Sequence, residues 1–395
     1  MSGPTADQEV LAGPGISFGF NLAKVPDHGE DSDPILRDGP DLGLAAVFDG
    51  MGGAGGTVYE TDDGPRSGAY LASRIAQRVV EQHLLGLLTP ERPLPGASTA
   101  AELHDAVTAA LQEALAELHA PASRLRSRLI RALPTTMALG ALQRAEPDGG
   151  AWSCHVLWAG DSRVYVLTAN GLQQLSSDDL RDPGDAMANL QHDSVISNAL
   201  SADTEFVINH RRVELESPFI LICATDGCFG YLRTPMHFEA LLLGTLAEAA
   251  GEQDWSLRLQ DAISEVTGDD ASLAAIGVGG DLSAMQRLLA PRLREVVEQY
   301  TTPIDGLADE VARAEAALAE LQRRRTDDMA ARWQRYRIGY DQALQRSDAG
   351  DVEPIDETPQ RRIWNPAKPI ATGAIAPADD GAADDVTEDD GEDLP

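Results

Sequence analysis

Four short acidic motifs are spread along this sequence of 395 residues, and each adjoins an apolar run of strand length. They are Gly29-Glu30-Asp31, Asp49-Gly50-Met51-Gly52-Gly53, Thr225-Asp226-Gly227 and Gly268-Asp269-Asp270. We predict that each motif lies where a β-strand ends, because a carboxylate at such a position is held by rigid backbone while its oxygens still reach solvent.

Carboxylates from four distant parts of a chain repel one another strongly if the fold brings them into one cleft, unless cations neutralise them. Divalent ions that prefer hard oxygen ligands, such as Mg²⁺ and Mn²⁺, suit a cluster of this kind. The four motifs therefore indicate a hydrolytic centre that uses several metal ions.

The glycine-rich stretch after Asp49 has a second interpretation. Gly50 to Gly55 matches the dinucleotide-binding pattern G-x-G-x-x-G, after a strand and before a helix. That pattern requires the helix to begin at the glycines, so that its N–H groups receive the pyrophosphate. Here residues 57–65 intervene with three acidic side chains, which would repel phosphate. We favour a metal site, in which Asp49 bridges ions and the glycines let the backbone, including the Gly50 carbonyl, approach them.

The charge balance argues against nucleic acid and anionic membranes as partners, because both need a basic face and the formal net charge is −33. Residues 371–395 contain nine acidic residues and no lysine or arginine, so we predict a disordered acidic tail. No signal peptide and no apolar run of about 20 residues is recognisable. The three cysteines suit a reducing compartment, and we expect a cytoplasmic protein.

Short strands and longer helices alternate over the first two-thirds of the chain. Strands are predicted at 15–20, 42–48, 135–145, 152–159, 163–168, 205–215, 219–224 and 271–278, and helices at 67–88, 98–119, 238–250 and 255–266. Residues 57–65 are predicted to form a surface loop. Clusters of strands that alternate with paired helices favour an α+β layered fold around antiparallel sheets over regular βαβ repeats.

Beyond residue 280 the pattern becomes helical. A short heptad pattern begins after Pro303 and breaks near Arg325, where the apolar residues continue on a shifted face. Its members are Ile304, Leu307, Val311, Ala314, Leu318 and Leu321, followed by Met329, Trp333, Tyr336 and Tyr340. The segment is either a coiled-coil partner module, which we favour slightly, or a helical pair folded onto the main domain. A proline-containing linker follows, and in it Arg361-Arg362-Ile363-Trp364 is a candidate docking motif.

Together these segments resemble the metal-dependent Ser/Thr protein phosphatases of the type-2C or PPM family in their bacterial form. The resemblance covers residues 15–280 and rests on five motifs that occur in family order. They are Phe48-Asp49-Gly50-Met51-Gly52-Gly53, Pro134-Thr135-Thr136, Gly160-Asp161-Ser162-Arg163, Thr225-Asp226-Gly227 and Asp269-Asp270-Ala271-Ser272. Any one of these motifs is weak evidence, whereas five in sequence are specific.

The resemblance implies that Asp49 bridges two metal ions and that Gly50 lends its carbonyl oxygen to one of them. Asp226 and Asp269 would complete the coordination of the second ion. Asp269 is preferred over Asp270 because the family ligand is the first residue of the pair. The resemblance thus implies that the catalytic residues are Asp49, Asp226 and Asp269.

The remaining implied ligands are acidic residues that lie further from the bridging position. Glu30 and Asp31 match the family's N-E-D motif and would hold metal-bound waters. Asp161, together with Asp226, would support a weaker third ion. The implied cofactors are therefore two Mn²⁺ or Mg²⁺ ions, with a third held more weakly.

Three departures from the family pattern bear on this site. Pro26 stands where the family has an arginine that contacts the substrate phosphate, and Gly29 replaces the family's asparagine. Met51 stands where eukaryotic relatives have a histidine proposed as general acid, so a metal-bound water would protonate the leaving group. Lys24, or an arginine of the run Arg124-Arg126-Arg128-Arg131, is a weak candidate for the phosphate ligand, although such a run is more typical of a solvated helix face.

The resemblance implies an αββα sandwich of two antiparallel sheets flanked by helices. We assign residues 1–280 to this phosphatase domain, 281–345 to a helical extension that serves as a partner or dimer module, and 346–395 to the linker and acidic tail. The expected activity is hydrolysis of phosphoserine and phosphothreonine in proteins, the products of a Ser/Thr kinase, by a water that bridges two metal ions.

One alternative function belongs to another class. A catalytically weak pseudophosphatase could act as a metal-binding regulatory scaffold. The missing phosphate arginine and the long C-terminal extension favour this alternative a little. The intact acidic residues favour catalysis more, because a scaffold has no need to keep clustered carboxylates.

Overall fold

The computed structural model describes residues 14–62, 64–85, 96–118, 131–145, 150–191 and 194–342. These residues divide into two units, with the division after Glu315. The first unit contains two five-stranded sheets with helices on their outer faces, so the predicted αββα sandwich is confirmed. None of the described helices is both long enough and apolar enough to span a bilayer.

Every pair of neighbouring strands in the two sheets is antiparallel. The first sheet contains, in spatial order, Pro14–Leu22 (β1), Ala271–Val278 (β12), Phe219–Ala224 (β11), Arg163–Thr168 (β8) and Gly171–Gln174 (β9). The second contains Asn209–Glu216 (β10), Ala151–Ala159 (β7), Met137–Arg144 (β6), Leu42–Val47 (β3) and Ile35–Asp38 (β2).

The two sheets pack face to face around a shared apolar layer. Trp152 and Val156 of β7 meet Leu221 of β11 and Ile276 of β12 in this layer, and all four side chains are buried. The central strands β3, β6, β11 and β12 are buried along almost their whole length. This explains why their sequences are continuous apolar runs without the alternation of a half-exposed strand.

Two helices cover the outer face of the second sheet. They are Gly68–Leu85 (α1) and Ala97–Glu117 (α2). Leu84 of α1 and Leu103 of α2 pack with Leu139 of β6 in one buried cluster. A short helix, Ala186–Gln191 (α3), lies in the connection between β9 and β10.

Three helices cover the outer face of the first sheet. They are Pro235–Glu248 (α4), Glu252–Ser264 (α5) and Leu282–Val296 (α6). Phe238, Trp255 and Leu289, one from each helix, belong to the same buried cluster as Phe18 and Ile222 of the sheet. Helix α6 therefore contributes to the core, although it lies beyond the domain boundary predicted at residue 280. That boundary stays a prediction.

A π-helical turn, Val297–Thr301, joins α6 to the long helix Thr302–Tyr340 (α7). The helix is continuous through Arg325, so the alternative of a helical pair is wrong. From residue 309 to residue 340 every side chain is exposed. The predicted acidic tail, the linker beyond residue 346 and the docking motif at residues 361–364 lie outside the described residues.

Several short elements differ from the prediction. Residues 57–65 were predicted as a loop, but Val58–Thr61 (β4) and Gly64–Ser67 (β5) pair as a hairpin. The strands β2 and β9 and the helix α3 were not predicted. Each of these elements has only four to six residues and at most one buried side chain, so its sequence carries little periodic signal.

The strand-end prediction for the acidic motifs is correct in part. Asp49 follows β3 and Asp226 follows β11, but Glu30 and Asp31 lie in the loop before β2, and Asp269 precedes β12. Antiparallel pairing explains why these positions still meet. Because Ala271 at the start of β12 pairs with Leu22 at the end of β1, and Leu273 pairs with Ala224, the beginning of one strand adjoins the ends of its neighbours.

The packing of α6 gives a first prediction. Leu289 is 2% exposed, so replacing it by alanine should lower the free energy of unfolding by about 2–4 kcal/mol. Leu257 of α5 is 51% exposed, and Leu257→Ala should change it by less than about 0.5 kcal/mol. Urea denaturation of both variants measures the difference. Equal stabilities would show that α6 is not part of the folded core.

Candidate active site

The acidic motifs surround a cleft at one end of the sandwich. Asp161, Asp226 and Asp269 line a cavity of about 530 Å³, together with Arg163 and Tyr231. The three aspartates come from the loops after β7 and β11 and from the loop before β12, and Arg163 is the first residue of β8. The charges of Asp31, Asp161, Asp226 and Asp269 all act to raise the pKa of Asp49.

The backbone around Asp49 is fixed by the strand that begins at Met137. The Thr135 hydroxyl and the Thr136 N–H both donate to the carbonyl oxygen of Asp49, at 2.6 and 2.8 Å. The backbone of Gly50 pairs with Thr135, continuing the sheet by one bridge. A Cβ at Gly50 would lie 2.6 Å from the carbonyl oxygen of Glu30, so only glycine permits this close approach.

The two aspartates before β12 have different roles. The Asp270 carboxylate accepts hydrogen bonds from the backbone N–H of Glu30 at 2.6 Å and of Lys24 at 2.8 Å. It therefore holds the loop that carries Glu30 and Asp31. Asp269 is exposed and lines the cavity. This division agrees with the preference for Asp269 as the ligand, which stays a prediction.

Arg74 of α1 holds the same loop from the other side. Its guanidinium donates to the carbonyl oxygens of Gly29 and Glu30, at 3.2 Å in each case, and lies 3.5 Å from the centre of the Tyr70 ring. The Ser73 hydroxyl also donates to the Glu30 carbonyl oxygen at 2.5 Å. The loop is thus fixed through its backbone, which leaves the carboxylates of Glu30 and Asp31 available for other contacts.

Asp31 is 1% exposed, and only one of its two carboxylate oxygens has a partner. The Thr225 hydroxyl donates to Oδ2 at 3.0 Å and itself accepts the N–H of Ser272 at 2.8 Å. The other oxygen, Oδ1, is buried without any hydrogen-bond donor among the described residues. A buried carboxylate oxygen in this condition is costly unless a cation or a proton satisfies it.

Asp161 lies in the turn between β7 and β8. Gly160 adopts a φ of 104°, a conformation that favours glycine, and the Ser162 hydroxyl hydrogen-bonds the Thr136 hydroxyl at 2.6 Å. Ser162 therefore orders the turn, as expected for a residue that is not a nucleophile. Within the described part of the chain, Oδ1 of Asp161 is also buried without a hydrogen-bond partner.

Arg163, the last residue of the Gly160–Arg163 motif, is paired with a carboxylate of the protein. Its Nε and Nη2 donate to the two oxygens of Asp178, at 2.9 and 2.6 Å, and both side chains are buried. Its Nη1 donates to the Tyr165 hydroxyl. The positive charge of Arg163 is therefore already neutralised and fixes the wall of the cavity.

The carboxylates of the cluster have raised pKa values. Burial, followed by the charge of Asp226, raises the pKa of Asp31 and of Asp161 to about 8 each. Burial and the charge of Asp269 raise the pKa of Asp226 to about 6, while a hydrogen bond with Asp49 opposes the rise. Burial and the charges of its neighbours raise the pKa of Asp49 well above its usual range. In the absence of cations these groups resist ionisation.

The donor set fits divalent cations that prefer oxygen. It consists of carboxylates and the Gly50 carbonyl, and it contains two buried oxygens without partners, on Asp31 and Asp161. Among the described residues no three acidic, histidine or cysteine side chains converge on one point ready to hold an ion. Mutual repulsion and local hydrogen bonds explain this. The Glu30 carboxylate, for example, turns to the Ser67 hydroxyl.

Residues 32–266, more than half of the chain, match the family described as Protein phosphatase 2C. The matched segment contains Asp49, Asp161 and Asp226, together with the turns that hold them. The chain belongs to the protein phosphatase 2C family. A comparison with curated proteins gave no match.

Solved structures of phosphatases are similar to this chain at low identity. The PPM Ser-Thr phosphatase MsPP from Mycobacterium smegmatis, in complex with cacodylate, is 16% identical with a TM-score of 0.46, over 68% of this chain and 100% of that one. The serine/threonine phosphatase PstP/Ppp of Mycobacterium tuberculosis is 18% identical with a TM-score of 0.42, over 67% and 98% of the respective chains. These values do not identify an activity.

The structure separates the candidates for a phosphate ligand in this member of the protein phosphatase 2C family. Lys24 is exposed, and its backbone N–H is bound to Asp270. Arg131 donates through Nη2 to the carbonyl oxygen of Ile196 at 3.1 Å and is half-buried, so it is not on a solvated helix face. The other arginines of its run lie outside the described residues. Arg66 of β5, which the sequence did not single out, donates to the carbonyl oxygen of Asp27 at 2.9 Å.

The raised pKa values predict how pH affects the phosphatase without metal. The carboxyls have higher pKa values in the folded protein than the value near 4 of the unfolded chain, so the folded state binds more protons between about pH 4 and pH 8. Stability should therefore fall as pH rises through this window. The melting temperature in EDTA should be lower at pH 8 than at pH 5.5.

Two further samples test the origin of this pH dependence. Asp161→Asn removes one of the raised carboxyls and should make the fall smaller, and Mn²⁺ should offset it by neutralising the charged forms. A melting temperature that stays constant or rises between pH 5.5 and pH 8 in EDTA would contradict the electrostatic description of the cluster.

Proposed function

We propose that this chain hydrolyses phosphoserine and phosphothreonine in proteins and that it needs two Mg²⁺ or Mn²⁺ ions, with a third bound more weakly. The main support is the cluster of carboxylates that raise one another's pKa values at one end of a protein phosphatase 2C domain. Such a cluster is unfavourable without cations, and it serves no packing purpose that neutral side chains would not serve better.

The proposed ligands divide between the ions by their positions. Asp49 is proposed to bridge, with Gly50 lending its carbonyl oxygen. Asp226 and Asp269, which line the cavity, would complete the second position, and Asp161 with Asp226 would hold the weak third ion. Bound ions of this kind would lower the pKa of a water molecule, the proposed nucleophile, and would neutralise charge on the phosphoryl group.

Glu30 and Asp31 have a positioning role in this proposal. Their carboxylates orient water molecules around the ions, since the backbone of their loop is held by Asp270 and Arg74. The Thr225 hydroxyl donates to Oδ2 of Asp31 and so fixes the orientation of the carboxylate. The other oxygen, Oδ1, has no hydrogen-bond partner among the described residues and is free to accept from a metal-bound water. Phosphoryl transfer asks little covalent chemistry of the protein, so this positioning is the main task of the side chains.

Arg66 is the proposed phosphate ligand in place of the absent arginine at Pro26. Its guanidinium lies 4.5 Å from the centre of the Tyr70 ring, which Arg74 also contacts, and it donates to the loop at Asp27. Its Nε is buried without a hydrogen-bond partner in the described part of the chain. The hydroxyl of the neighbouring Ser67 donates a hydrogen bond to the Glu30 carboxylate, so the β4–β5 hairpin contacts a residue of the proposed metal site.

The scaffold alternative has one supporting observation. Pro26 stands where the family has an arginine that contacts the substrate phosphate. Titration calorimetry with Mn²⁺, followed by a turnover assay with a phosphopeptide, separates the two functions. Binding without hydrolysis would select the scaffold.

The proposed partners are phosphorylated proteins, the substrates of a Ser/Thr kinase, in the cytoplasm. Residues 300–345 are proposed to bind a partner or a second copy of the chain, because α7 presents apolar side chains to solvent. Neither nucleic acid nor a membrane surface is proposed as a partner, because the net charge is strongly negative.

Metal dependence is the direct test of the proposed activity. Hydrolysis of a phosphothreonine peptide should require Mn²⁺ or Mg²⁺ and should stop on addition of EDTA. Asp49→Asn should lower kcat by at least about a hundredfold, because it removes the bridging charge while the fold persists. Asp261→Asn, an exposed position on α5, should leave kcat unchanged. Undiminished turnover in Asp49→Asn would end the proposal.

The role of Arg66 is tested by comparison with Lys24. A charged hydrogen bond to phosphate contributes about 1.5–3 kcal/mol, so Arg66→Ala should lower kcat/KM for the phosphopeptide by about 10- to 100-fold. Arg66→Lys should recover only part of this loss, because lysine lacks the planar pair of donors. Lys24→Ala should have little effect. If the loss instead follows Lys24, the phosphate ligand is Lys24 and Arg66 serves only to hold the loop.

A further inference from the structure

Helix α7 separates its charges along its length. Its first half, residues 302–320, has five acidic residues and one arginine, whereas its second half, residues 321–340, has six arginines and two aspartates. The acidic residues of the first half are Asp305, Asp309, Glu310, Glu315 and Glu320. The arginines of the second half are Arg323, Arg324, Arg325, Arg332, Arg335 and Arg337.

Ten apolar residues of α7 form one continuous face, and Ile338 lies outside it. An α-helix advances about 100° per residue, so the ten apolar residues of the two predicted stripes fall within a sector about 120° wide. On a straight α-helix, apolar residues that repeat every seven positions rotate slowly around the helix axis. After Arg325 the apolar pattern is shifted by one residue, and this shift reverses the rotation. Leu307, Leu321 and Tyr336 are 65%, 59% and 68% exposed, so the described part of the chain leaves this face uncovered.

The spacing of the apolar residues is reversed between the two halves. Ile304, Leu307 and Val311 are three and then four residues apart, whereas Met329, Trp333 and Tyr336 are four and then three residues apart. Reversing the direction of a second helix therefore aligns Ile304 with Tyr336, Leu307 with Trp333, and Val311 with Met329, all centred on residue 320.

We propose that α7 pairs with α7 of a second copy of this chain in antiparallel orientation. The acidic half of each helix then lies against the basic half of the other, with the apolar faces between them. In this register Glu310 lies beside the partner copy's Arg332, and Glu315 beside Arg323. These arginines also contact Asp328 and Glu320 of their own helix, but such exposed pairs are weak.

Parallel pairing is unfavourable for the same helix. It would bring the acidic halves together and the basic halves together, and it would place Glu310 near Glu315 of the partner. The antiparallel pair buries apolar side chains along about 50 Å, since each residue adds about 1.5 Å. The start of α7 stays with its own domain, because Asp305 pairs with Arg233 and His237 of α4.

Charge reversal in the full-length protein tests the orientation. Sedimentation equilibrium of the wild type should show a dimer that weakens as salt is raised. Glu310→Arg with Glu315→Arg should weaken it at least tenfold, and so should Arg323→Glu with Arg332→Glu. All four changes together should restore it. The single variant Glu310→Arg distinguishes the two orientations. It should weaken the antiparallel pair, because it puts an arginine beside Arg332, and it should strengthen a parallel pair, because it puts an arginine beside Glu315 of the partner copy. A monomeric wild type overturns the proposal outright.

Cysteine cross-linking identifies the facing residues independently. The native cysteines, Cys154, Cys223 and Cys228, are buried, so they should not interfere. Val311→Cys mixed with Met329→Cys should form a disulfide between unlike chains, and each variant alone should form far less. Efficient linkage in Val311→Cys alone would show a parallel pair, and no linkage in any sample would show that α7 does not pair with itself. Phosphatase activity is not needed for either readout.

Discussion

The main constraint on the candidate site is the repulsion among its carboxylates, which antiparallel strand pairing brings close together. The end of β11, the start of β12 and the turn after β7 meet at one edge, and each brings an acidic side chain. The buried layer around Trp152 and Leu221 stabilises the two sheets and so holds these charges close together. The site is thus unfavourable by itself and is maintained by packing elsewhere, which is the condition under which cation binding contributes most to stability.

The sequence predicted the parts of this arrangement that rest on local patterns. The central strands were recognisable because burial on both faces makes them continuous apolar runs, and Asp49 and Asp226 were recognisable because each follows such a run closely. The family resemblance supplied the order of the motifs. The strand-end rule failed for Glu30, Asp31 and Asp269, because in an antiparallel sheet a strand's beginning lies at the same edge as its neighbour's end.

The rest of the site depends on contacts between residues far apart in the chain. Asp270 binds the backbone of Lys24 and Glu30, which are 246 and 240 residues away, and nothing in the local sequence around Asp270 distinguishes this role from that of a metal ligand. Arg66 is not distinguished by the sequence, because its short hairpin lacks apolar alternation and residue 66 falls between the predicted loop at 57–65 and the predicted helix at 67–88. Residues of this kind can be recognised only in the folded structure, where the backbone groups that they bind lie next to them.

Charge separation acts differently in the cleft and on α7. In the cleft, like charges are crowded by the fold, and their number favours small cations over a protein partner. On α7, opposite charges are separated along a single helix, so an identical helix in reversed direction satisfies both halves at once. Such pairing adds no residue to the cleft. It would place two domains of the protein phosphatase 2C family in one particle, which would raise the effective concentration of the second site for a ligand that carries several binding groups.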